Sequence, residues 1–197
     1  MKLRLGLAAL LAAAALSPAF GATTTWAIDT NHSAAHFGVR HMMVSTVRGE
    51  FGKVAGAIAF DDQDPSKTTV EATIDATTIN TQVAARDNDL KSDSFFDVAK
   101  YPTITFKSTR VTAATPLQYT VDGDLTMHGV TKPVRLHVEV TPAIKDPRGN
   151  ERRGAEATTK LNRSDFGVTG ASGAVGDEVT VIIDLEAVRK APAPAAK

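Results

Sequence analysis

From about residue 25 onward the apolar residues of this chain recur at every second position, which more than any other feature limits what it can fold into. Val134, Leu136, Val138 and Val140 alternate with Arg135, His137, Glu139 and Thr141. Val179, Val181, Ile183, Leu185 and Ala187 alternate with Glu178, Thr180, Ile182, Asp184 and Glu186. The same pattern returns at Val70, Ala72 and Ile74, and at Tyr119, Val121, Gly123 and Leu125. Successive side chains of a strand point to opposite faces, so this period marks strands with one buried face and one wet face. Further strands fit 33–41, 47–60, 103–109 and 154–162. Turn-forming clusters such as Asp61 to Pro65, His128-Gly129 and Asp146 to Asn150 lie between the runs. About eight or nine such strands with short connections suit an antiparallel barrel or sandwich, and a barrel leaves no free edge to protect.

The expected inward faces mix large and small residues. Phe37, Phe51, Ile58, Phe60, Ile104 and Phe106 are large, whereas Ala35, Gly56, Ala72, Gly123, Ala155, Ala157 and Thr159 are small. The interior of an eight-stranded barrel is either just filled by side chains or holds one small ligand. Small inward residues favour a cavity, or else they let strands coil tightly under a covering helix. The helical interruption falls at Ala84 to Leu90, with a further turn near Ser94-Phe95-Phe96. It sets dense charge beside two adjacent Phe residues, as a lid over a cavity or a plug in one barrel end.

The termini read differently from the middle. Met1 to Arg4 is basic, Leu5 to Leu16 is apolar, and Ser17 to Ala22 offers small residues for cleavage. That is the pattern of a secretory signal peptide over residues 1–21, with an apolar stretch too short to span a membrane as a helix. Ala191 to Lys197 reads as a loose Pro/Ala-rich tail, which leaves one domain over 22–190. The whole chain carries 22 basic and 22 acidic side chains; without Lys2 and Arg4 the balance is 20 to 22, or about −2. No basic excess exists to neutralise a nucleic-acid backbone. Cysteine is absent, which excludes disulfides, thiolate nucleophiles and zinc–cysteine sites.

Several constellations invite chemistry and are better explained without it. His32, His36 and His41 are close in sequence, but on a strand His36 projects opposite to His41, so no metal site is expected. Asp29, His32 and Ser33 hold the residue types of a nucleophilic triad without its strained elbow or oxyanion hole. Asp61, Asp62 and Asp64 lack the spacing of a calcium loop, and Gly167 to Gly176 lacks the Lys-Ser/Thr of a phosphate loop.

The chain resembles the YceI-like family of bacterial periplasmic polyisoprenoid-binding proteins over Trp26 to about Ala187. The resemblance rests on Trp26-Ala27-Ile28-Asp29 with His32-Ser33, Phe37 to His41, Gly49-Glu50-Phe51, Arg86-Asp87 and Ser94 to Pro102. Gly123 to Thr131, Pro133-Val134 and Arg163 to Val168 complete it. It implies a lipocalin-like antiparallel eight-stranded barrel holding a long isoprenoid chain, such as a polyprenyl lipid or a quinone tail. The family often reads Arg-Asp-x-His-Leu in the helical segment, and here Asp89 takes the His position. A carboxylate there disfavours a phosphate neighbour, which leaves a neutral quinone or amide-type head more comfortable.

Alternation and motif position together nominate Phe37, Val39, Met42, Met43, Phe51, Ile58, Phe60, Phe95, Phe96, Phe106 and Leu125 for the apolar cavity. His41, Arg86 and Asp87 are nominated for its polar rim. The expectation is a non-catalytic periplasmic carrier of an amphiphilic isoprenoid lipid or isoprenoid quinone, with no metal and no other cofactor. The competing reading is an enzyme or electron-transfer partner acting on such a lipid, for which no convergent nucleophile and base is visible; a ligand-free stress protein is a third. Ile182, apolar on a wet face, leaves a homodimer open.

Overall fold

The structure, a computed structural model, describes residues 23–61 and 63–189. The leader read at 1–21, the tail at 191–197 and Asp62 lie outside the described residues. Its strands are β1 (Thr24–Ile28), β2 (Ala34–His41), β3 (Ser45–Phe51), β4 (Val54–Phe60), β5 (Thr69–Asp75) and β6 (Ile79–Asn80). After helix α1 (Ala84–Lys91) come β7 (Thr103–Thr115), β8 (Gln118–Met127), β9 (Val130–Val140), β10 (Ile144–Lys145), β11 (Glu151–Asn162) and β12 (Val175–Arg189).

These strands form one antiparallel sheet that closes where β11 pairs with β12, from Glu151↔Arg189 to Asn162↔Glu178. β12 is long enough to take both β1, at Ala27↔Val188, and β2, at Ala34↔Asp184, along its other side. β4 and β3 lie end to end on β1 and β2 in the same way. Counted as staves, the ring is β1/β2, β3/β4, β5, β7, β8, β9, β11 and β12, the closed eight-stranded barrel that alternation and resemblance predict.

Details of the staves differ from the sequence reading. The single strand expected at 47–60 is two, broken at Gly52-Lys53, where the Gly52 N–H turns to donate to Thr78 Oγ1 at 3.1 Å. The strand expected from residue 33 starts at Ala34, because Asp29 accepts from Asn31 N and winds Thr30–His32 into a 3₁₀ turn. The strand at 103–109 runs on to Thr115 through a bulge between Ser108 and Arg110. One extra residue there resets the alternation, so Val111 faces inward opposite Val121 just as Phe106 does opposite Leu125.

One side of the ring is incomplete. β9 and β11 are in register only from Ala155↔Val140 to Thr158↔His137. Beyond that point β9 stays paired with β8 down to Met127↔Val130, and β11 stays paired with β12 down to Asn162↔Glu178. The two strands themselves part. Pro133, which has no N–H to give a ladder, sits in the length of β9 that pairs with β8 but not with β11.

Two apolar clusters fill the barrel's ends. At one, Trp26, Phe60, Val111, Tyr119, Leu136 and Ala187 pack together. At the other, Phe51, Val54, Ile79, Phe95, Phe166 and Val168 pack beneath the helical segment. No helix among the described residues is long and apolar enough to cross a membrane.

Candidate functional site

Between the two clusters lies an apolar cavity of about 240 Å³. Its wall takes residues from every stave, and on β8 it extends from Tyr119 to Met127. At about 3.3 Å per residue that is roughly 26 Å of strand, or about 20 Å along a barrel whose strands tilt by 35–45°. The space is therefore long rather than round. It is also larger than the engineered apolar cavity of about 150 Å³ that stays dry and admits benzene.

The small inward residues and the rings cooperate to make this space. Ala35, Ala72, Ala155 and Thr159 line it, as alternation places them. Gly123 lets the Phe106 ring lie flat on the wall, since a Cβ there would come within 2.4 Å of the ring. Phe37 is accommodated the same way over Gly49, where a Cβ would meet the ring at 2.5 Å.

Nine of the nominated cavity residues line the space: Phe37, Val39, Phe51, Ile58, Phe60, Phe95, Phe96, Phe106 and Leu125. Met42 and Met43 do not. They form the tip of the β2–β3 hairpin, 63% and 74% exposed, because Val44 N bonds back to His41 O at 3.0 Å and closes a tight turn within the three-residue loop between His41 and Ser45. Alternation does not continue through a turn, and two adjacent residues cannot both share the inward parity of Phe37 and Val39.

The helix end is closed by aromatic contacts. Phe37 and Phe51 ring centroids are 5.7 Å apart, and Phe96 meets Phe51 edge-on at 5.5 Å. Phe95 is wedged beneath Gly170, where a Cβ would stand 2.7 Å from its ring. The segment is thus a plug. Its charged residues do not reach the cavity. Arg86 donates through Nε to Thr81 Oγ1 at 2.7 Å and through Nη2 to Thr81 O at 2.8 Å. Asp87 accepts from Thr81 N at 2.8 Å and from the Thr81 hydroxyl, and this hydrogen bond holds its carboxyl below the usual carboxylate range. Arg86 and Asp87 therefore pin α1 to the end of β6 instead of forming the expected rim. His41 closes β2 opposite Ser45 and Val175, also off the cavity wall, and Asp89 is exposed on α1.

At the opposite end Phe60 and Tyr119 meet edge-on at 6.0 Å, and Trp26 is 4% exposed beside them. The Arg153 guanidinium stacks over Phe60 at 4.7 Å and over Trp26 at 5.4 Å. The sequence reading does not place an arginine inward on β11, although Arg153 shares the parity of Ala155 and Ala157.

Arg163, in sequence only one member of the motif Arg163 to Val168, has a specific task in the fold. It is 8% exposed and donates to the carbonyls of Val168, Gly170, Val175 and Gly176. Its guanidinium supplies the framework of the loop that joins β11 to β12 and seals the barrel near Phe95.

The histidines are dispersed. His36 lies 3.5 Å from both Glu50 and Asp184 on the outer wall, while His32 Nδ1 is 3.0 Å from Asp29 Oδ2. Asp29, His32 and Glu186 do bring ligand-type atoms within 4.8 Å of one another. Arg152 already serves that cluster, donating to Asp29 at 3.1 Å, to Glu186, and to Asp146 at 3.0 Å. Ser33 is buried and its hydroxyl accepts from Glu186 N at 3.1 Å, which is a structural duty.

Comparison with known proteins agrees with this geometry. The sequence profile of the YceI-like domain matches residues 26–187. A UPF0312 protein of Vibrio parahaemolyticus is 36% identical over 184 residues, covering 91% of this chain and 95% of that one. The crystal structure of a Campylobacter jejuni YceI protein is 30% identical with a TM-score of 0.69, covering 77% of this chain and 90% of that one. A polyisoprenoid binding domain from Saccharophagus degradans shares the fold at 16% identity, with a TM-score of 0.61 and coverage of 84% and 98%.

Proposed function

We infer that this chain, which belongs to the YceI-like family, is a non-catalytic carrier that holds the apolar tail of an isoprenoid lipid inside its barrel. The observation that carries this reading is the long internal cavity whose exposed wall is apolar. Water gains nothing from such a wall, whereas each CH₂-sized group of a lipid tail moved into it contributes about 0.8 kcal/mol. Phe rings at both ends and small residues between them suit a branched chain of modest width. The Saccharophagus degradans domain of the same fold is described as polyisoprenoid binding, which supports the same ligand class here.

The finer statement follows from the polar groups. Arg86 and Asp87 are spent on Thr81, the other charged side chains of the helical segment do not line the cavity, and the one arginine on its wall, Arg163, is taken up by backbone carbonyls. That favours a lipid with an uncharged head, such as an isoprenoid quinone. The leader read at residues 1–21 supports a periplasmic place of action.

Native mass spectrometry of the protein purified from its own source tests this directly. A stoichiometric adduct whose released mass is an isoprenoid is the expected result. A protein that is free of adduct, and stays so after incubation with quinones and polyprenyl alcohols, would overturn the carrier reading.

A further inference from the structure

Aromatic residues crowd both ends of the barrel, at Phe51 and Phe96 and at Phe60 and Tyr119, while the side wall offers a thinner barrier. Where β9 and β11 part below Thr158↔His137, the surface carries an open groove of about 910 Å³. Val134, Thr159 and Leu161 line both this groove and the internal cavity. Only one layer of side chains therefore separates the two spaces. Among the described residues no strand covers the split, and the 3₁₀ turn Arg163–Phe166 closes only its lower end.

The split has the marks of an edge kept open. Lys132 and Pro133 on one lip and Lys160 on the other are residue types that stop strands from pairing. The N–H and C=O groups that a continuous ladder would consume are left for another partner. The groove is nearly neutral. Arg135 is held by Asp122 at 2.7 Å and Lys160 by Glu178 at 2.8 Å, while Lys132 and Asp165 balance each other in sign.

We propose that this split is the portal through which the lipid tail enters the cavity, and that the groove outside it seats an uncharged head group that forms hydrogen bonds. The proposal rests on the carrier reading above. Tail and head then occupy continuous spaces, with Val134, Thr159 and Leu161 moving aside as the tail passes.

The chain has no cysteine, which makes a cross-linking test clean. Extending the β9–β11 register places Arg135 opposite Lys160, across the split. The pair Arg135→Cys/Lys160→Cys is bridged with a thiol-cleavable bis-maleimide, and uptake of geranylgeraniol by the delipidated protein is followed by timed native mass spectrometry. Bridging should slow uptake by about tenfold or more, as closing a gate does, and cleaving the bridge should restore it. A control bridge at Glu139→Cys/Glu156→Cys, where the same strands are paired, should leave uptake unchanged. Unchanged uptake with the portal bridged would overturn the portal. No uptake by the unmodified protein would overturn the carrier reading instead, so the two failures are distinguishable. Geranylgeranyl diphosphate tests the head group: the alcohol should bind at least as tightly, and a diphosphate about tenfold tighter would overturn an uncharged head.

Discussion

Gly123 lies beneath the ring of Phe106, so close that a Cβ on the glycine would stand 2.4 Å from the ring and 2.6 Å from the carbonyl oxygen of Lys107. A ring can swing away, but a strand carbonyl in a paired ladder cannot. Gly123→Ala should therefore cost about 1–3 kcal/mol, the range for overpacking a filled site. It should also push Phe106 into the cavity and reduce lipid retention. Chemical denaturation and native mass spectrometry of the variant check the two effects separately. A variant as stable as the parent would show that the β7–β8 pair is looser than described.

Ala155 offers the opposite manipulation. It lines the cavity and is only half-buried, between Val140 and Leu185 in register. Ala155→Phe fills empty space with apolar atoms, so stability should hold or rise while lipid retention falls sharply. A barrel whose void is only imperfect packing would gain stability and have no lipid to lose. Thermal melts paired with adduct mass separate these outcomes.

The hairpin tip should be improvable without touching the site. Met42 and Met43 have φ of 49° and 57°, a left-handed conformation in which a Cβ crowds the following carbonyl. Glycine adopts that conformation without the clash. Met43→Gly should stabilise the protein by about 1 kcal/mol, raising Tm by roughly 2–4 °C at this size. Lipid retention should be unchanged because neither methionine lines the cavity.

These cases also show how far the sequence could be read. Alternation at Val134 to Val140 and Val179 to Ala187 reports which face is buried, and the structure agrees on every inward residue of both strands. It does not report where a strand pauses, because Gly52-Lys53 interrupts hydrogen bonding without interrupting the pattern on either side. Nor does it report a bulge, since the extra residue at Thr109 only shifts parity. The Arg86-Asp87 pair was visible as a motif, but its target, Thr81, is set by how α1 docks on β6. The destination of the Arg163 guanidinium is likewise a property of the folded loop. The parting of β9 from β11 had one trace in sequence, Pro133, whose missing N–H marks an edge.

Asp146 makes a pH-dependent contribution with a definite sign. Hydrogen bonds from Asn150, and then from Arg152 and from backbone N–H groups, lower its pKa from 3.8 to about 2. A carboxyl with a depressed folded pKa adds stability above its unfolded pKa and loses it as pH falls through the folded one. Asp146→Asn should therefore lower Tm at pH 6, with the gap to the parent closing between about pH 4 and pH 2. Thermal melts of both proteins from pH 2 to 7 check this. A gap that persists unchanged at the acid end would mean that the turn is held by something other than the ionised carboxylate.

Arg163 provides the most demanding test of the architecture, because one guanidinium serves four carbonyls of a single loop. Removing it leaves the Val168 carbonyl buried beside Phe166, with little access for water, and the other three acceptors half-buried. Each buried acceptor left unsatisfied costs about 1–3 kcal/mol, and the loop can relax to recover part of that. Arg163→Met, which keeps the bulk and removes the donors, should thus destabilise by about 3 kcal/mol or more. Arg163→Lys should recover only part of the loss, since an ammonium cannot span the fork of acceptors. The loss should be local first: hydrogen exchange should accelerate in 167–176 and at Phe95 under Gly170 before it does in β7 and β8. Uniform acceleration across the barrel would instead show that the loop and the staves unfold as one unit. In that case the seal over the cavity would have no independent stability, and the helix end would not be the part that opens first.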